Sequence, residues 1–73
     1  MLYKCYIIYR EMRNTKEKCV FLSTSYPASS RDLINTVDIL LVTVLADTVD
    51  GAVIQARVWI ENHAKQLDAE IWL

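Results

Sequence analysis

Glycine and proline are nearly missing from this chain: its 73 residues include one of each, Gly51 and Pro27. A single glycine excludes the glycine-rich loops that cradle phosphates. The same scarcity excludes linker, collagen-like and disordered material. Cysteine is scarce as well. Cys5 and Cys19 are too few for the disulfide framework of a small secreted domain. His63 is the sole histidine, and Cys5, Cys19 and His63 lack the close ligand pairs of a structural zinc site. No metal and no cofactor is therefore expected. The hydroxyls of Ser23, Ser25, Ser29 and Ser30 have no G-x-S-x-G turn around them. Long apolar runs are missing too. The longest is broken by Thr43 and bounded by Asp38 and Asp47, far short of the roughly 20 residues a membrane-spanning helix needs. Cys5 to Tyr9, between Lys4 and Arg10, is too short for the core of a signal peptide. These absences lead to the expectation of a cytoplasmic protein with reduced thiols, no membrane contact and no enzymatic activity.

What is present is apolar. The chain is 53% hydrophobic, enough to fold, and its length suits one domain over residues 1–73. A domain this small buries a low fraction of its surface, so its core calls for a supplement. With disulfides and metals set aside, a second copy or a partner protein is the expected supplement.

The net charge is −1 but unevenly spread. Residues 1–20 carry five bases against two acids, a net +3, and residues 21–73 carry a net −4. The N-terminal part is therefore suited to an acidic partner.

Residues 2–12 alternate loosely and are rich in Tyr and Ile, which predicts a strand. Residues 13–18 are polar and predict a turn, and residues 19–26 a second strand ended by Tyr26-Pro27. With Asn14 to Glu17 as the loop, Arg13 would face Lys18 and Tyr9 would face Leu22. Cys5, Ile7, Tyr9, Val20, Leu22 and Tyr26 then form a core face. Tyr6, Ile8, Arg10, Phe21 and Ser23 form the other, and the cysteines, on opposite faces, stay unbonded.

Ser29-x-x-Asp32 resembles a capping box. Leu33, Ile34, Val37, Leu40, Leu41, Val44 and Leu45 follow at helical spacing and predict a first helix, with Ile39, Val42 and Ala46 as a second stripe. The alternative is a third strand over residues 39–45, where β-branched residues are frequent. Asp47 or Thr48 would cap a second helix carrying Val49, Val53, Ala56, Ile60, Ala64, Leu67 and Ile71 on one face. The expected fold is thus α+β in two layers: an antiparallel β-hairpin followed by two α-helices.

No catalytic residues are expected. The functional expectation is a small protein-binding regulator, inhibitor or adaptor that acts through surface contacts as a homodimer. Partner binding is assigned to Tyr6, Ile8, Arg10, Arg13, Lys16, Lys18 and Phe21 on the hairpin. The dimer interface is assigned to Ile39, Val42, Ile54 and Val58, whose apolar stripes exceed what one small monomer covers. The alternative is a nucleic-acid-binding protein using the basic hairpin.

Overall fold

Tyr3–Met12 form strand β1 and Lys18–Ser23 form β2, so the hairpin opens the fold as its composition predicts. The computed structural model describes residues 1–25 and 35–73. Tyr26, Pro27 and the proposed Ser29/Asp32 cap lie outside the described residues, as do Leu33 and Ile34. Beyond them come strand β3, Thr36–Ala46, helix α1, Val49–Leu67, and strand β4, Glu70–Trp72. The strands make one four-stranded sheet in the order β3-β1-β2-β4. β1 is antiparallel to both β2 and β3, and β4 adds to β2 in parallel.

The hairpin register differs from the expected one. Tyr9 faces Val20 and Glu11 faces Lys18, a slip of two residues from the Arg13–Lys18 pairing. The turn explains the slip. The Met12 amide donates to the Glu17 carbonyl at 2.8 Å, and Lys16 adopts a left-handed conformation (φ 64°) that tightens the loop. Side chains alternate with a period of two, so this even slip leaves both faces as expected. Cys5, Ile7 and Val20 fall on the helix side, and Ile8 and Cys19 on the other.

Over the described residues the first predicted helix does not form, and residues 36–46 are strand β3. Among the described residues the two-helix arrangement is thereby replaced by a mixed four-stranded sheet with one helix. Six of the eleven β3 residues are β-branched, and these pack well on a pleated surface while losing side-chain freedom in a helix. A β-bulge accounts for the helix-like spacing. Ile7 pairs with Val42 but Ile8 pairs with Leu40, so Leu41 is an extra residue. The insertion shifts the alternation, and both Leu41 and Val42 pack against the helix-side core. An apolar period of two with one step of three resembles helical spacing when read along the sequence.

Helix α1 begins as predicted. Thr48 is its N-cap, its hydroxyl accepting from the Gly51 amide at 2.9 Å. A β-carbon at Gly51 would lie 2.9 Å from that cap oxygen, which explains why the chain's one glycine stands there. Ala52, Ala56 and Ile60 are the buried residues of the helix and seat it on the sheet. The helix stops at Leu67, and Asp68 takes the left-handed turn (φ 45°, ψ 48°). Ile71, expected to extend the helix, instead pairs with Val20 in β4.

The core under the helix is Cys5, Ile7, Val20, Ala52, Ala56 and Ile60, edged by Tyr9, Leu22, Val44 and Trp59. Both thiols are free and buried. Burial pushes each thiol above its ordinary range; at Cys19 the Arg10 charge pulls the other way but does not win. The folded chain therefore holds these protons more tightly than the unfolded one. Stability is expected to be level below the ordinary thiol range of about 8.5 and to fall as pH rises through it. Denaturation midpoints across that range, with thiol-reagent kinetics at neutral pH, check this. Rapid labelling of the native protein would contradict it.

Candidate interaction site

Arg10 lies near the hairpin end of β1, on the face of the sheet turned away from α1. Its register partner on β3 is Asp38, so the two side chains rise side by side. Nε and Nη2 donate to the two Asp38 carboxylate oxygens at 2.8 and 2.9 Å. The guanidinium also lies 4.7 Å from the centre of the Phe21 ring, which follows one strand over. The Asp38 hydrogen bond raises the Arg10 pKa further and keeps the charge fixed. This group welds β3, β1 and β2 across their outer face.

The residues assigned to partner binding therefore separate. Arg10 and Phe21 come together, but their polar and aromatic capacity is largely spent within the chain. Ile8 is 0% exposed, so contact with a partner falls to its neighbours. Tyr6 is half-buried, and Arg13, Lys16 and Lys18 are exposed at the hairpin tip with Glu17 among them. The Arg10–Asp38 pair is hidden in the sequence because the apolar spacing around Asp38 reads as a helix. A lone acid inside an apolar run was the available signal.

The residues assigned to the dimer interface fall into two groups. Ile39 and Val42 lie on β3, which is an edge of the sheet. Ile39 is 49% exposed, whereas Val42 is half-buried against the core. Ile54 and Val58 are 60% and 49% exposed on the helix, away from the Ala52–Ala56–Ile60 face. The helix packs chiefly on β1 and β3. One flank, at Val53, lines a groove with Cys5, Leu22 and Thr24. The opposite flank, at Gly51, lies toward β3, where Gly51 approaches Ala46, and Ile54 and Val58 lie on the crown between the flanks.

A groove of about 330 Å³ opens beside the first helical turn, lined by Leu2, Tyr3, Lys4, Cys5, Val49 and Val53 among others. Its lining is mainly apolar, and no nucleophile in it is paired with a base. His63 lies elsewhere on the helix. It stacks on Trp59 with ring centres 4.1 Å apart, and its Nδ1 lies 2.7 Å from the Trp59 carbonyl oxygen. Among the described residues no group of three or more His, Cys, Asp or Glu side chains could hold a metal ion. Among them, too, no helix is long and apolar enough to cross a membrane. No protein-family model, curated protein or solved structure matches the chain.

Proposed function

We propose that this chain is a non-enzymatic protein that works by contact, a homodimer that regulates another protein by occupying part of its surface. The observation that carries this reading is the placement of exposed apolar side chains. Ile39 lies on the β3 edge of the sheet, and Ile54 and Val58 lie on the crown of the helix, all about half exposed or more. Exposed apolar surface of this kind marks interfaces. The exposed basic tip of the hairpin, Arg13, Lys16 and Lys18, then meets an acidic region of the partner.

Light scattering at micromolar concentration tests the reading. The expected mass is twice the 8.4 kDa of one chain; a mass of 8.4 kDa would remove the dimer. Titration with random-sequence DNA tests the other use of the basic tip. No binding is expected, and tight binding that weakens steeply with salt would transfer the function to nucleic acid.

A further inference from the structure

We infer that two copies join edge to edge through β3, making one continuous eight-stranded sheet with both helices on the same face. This rests on the homodimer reading and specifies its interface. The sheet's edges are β3 and β4, and they are not equally protected. β4 is three residues long and carries Glu70, both ordinary ways of blunting an edge. β3 is eleven residues long, with no lysine, arginine, proline or glycine. Its protective devices are the bulge at Leu41, which leaves a regular arm on either side, and one acid, Asp38. Among the described residues no strand pairs with its outer side.

Charge favours a second copy as the occupant. Asp38 is the only charged residue of β3, and its own Arg10 already neutralises it at 2.8 Å. Pairing β3 with itself therefore sets no like charges against each other, which cross-strand pairs otherwise penalise. A two-fold axis through the middle of the strand, near Leu41, makes each arm pair with the opposite arm of the other copy. Because the bulge inverts the alternation between the arms, same-face pairing brings Ile39 opposite Val42 and Asp38 opposite Thr43.

The helices fit the same axis. α1 lies over β1 and β3, so two copies would run side by side roughly 10–14 Å apart, given strand spacings of about 4.8 Å. Exposed Ile39 is covered by the pairing, while Ile54 and Val58 stay outside on the crown of the helix.

The test compares light-scattering masses of the unaltered chain, the double variant Ile39→Lys/Thr43→Lys, and Ile54→Lys. Ile39 and Thr43 are exposed side chains on opposite faces of β3. The double substitution guards the edge without entering the core. A dimer in the unaltered chain and in Ile54→Lys is expected, with the dissociation constant raised more than tenfold in the double variant. A double variant that dimerises as well as the unaltered chain overturns the β3 interface and leaves the homodimer standing. A monomeric unaltered chain overturns both. Should the double variant fail to fold, amide exchange of the unaltered chain at two concentrations decides. Slower exchange along β3 on concentration supports the inference, and β3 exchange that is independent of concentration in a dimer overturns it.

Discussion

Ile60→Ala should lower the free energy of unfolding by about 2–5 kcal/mol, while Ile54→Ala should change it by less than about 0.5 kcal/mol. The two residues sit on one helix and lose the same atoms, so propensity nearly cancels between them. Ile60 is 1% exposed and seals the space between the helix and the sheet. Its removal opens a cavity bounded by β-sheet on one side, where backbone hydrogen bonding resists collapse. Domains have a total stability of about 0.05–0.15 kcal/mol per residue. For a chain this short the loss therefore approaches the whole, and a partly unfolded population at room temperature is the expected result. Urea denaturation followed by far-ultraviolet circular dichroism measures both variants. Equal effects would mean that the helix is seated on a different face.

Asp38→Ala is the second large effect, at about 1–3 kcal/mol. The cost arises at Arg10 rather than at residue 38. The guanidinium side chain is 23% exposed and the carboxylate side chain 13%, so the remaining cation would be held partly away from water without its two charge-assisted bonds. Removing both partners is a different experiment. Arg10→Met with Asp38→Leu leaves nothing unpaired, and its stability should recover most of the loss. A double-mutant cycle between these positions gives the coupling directly. Full additivity would mean that the pair contributes nothing to the sheet.

The hairpin and the start of one helix were legible in local chemistry. The polar run at residues 13–18 marks the hairpin, and Asp47 or Thr48 as a cap marks the helix start. Both faces of the hairpin followed from alternation, and they survived the wrong register because the slip was even. β3 was legible only as the alternative strand over residues 39–45, for two reasons that act together. Its residues are apolar on both faces, which erases the alternation that identifies a strand. The bulge at Leu41 then imposes a step that imitates a helix. β4 was hidden by a coincidence of spacing. Leu67 and Ile71 are four apart, so the helical stripe reads straight through Asp68, which turns the chain without the glycine that usually announces such a stop. The exposed apolar residues were legible as surplus hydrophobicity. The separation of Ile39 on a sheet edge from Ile54 and Val58 on the helix was not, because it depends on residues 36–46 being a strand.

The strand order also sets a sequence of events in time. β2 occupies the interior of the sheet, yet its outer neighbour β4 is made only after β1, β3 and α1 have been synthesised. Three strands and the helix can come together while Cys19, Val20 and Phe21 still have a bare hydrogen-bonding side. Closing that side joins segments far apart in the chain, the slowest kind of contact to form and one that offers only three residues in return. The same arithmetic runs in reverse in the finished protein. β4 is the piece whose detachment costs least, and it opens and closes many times for each time the whole molecule unfolds.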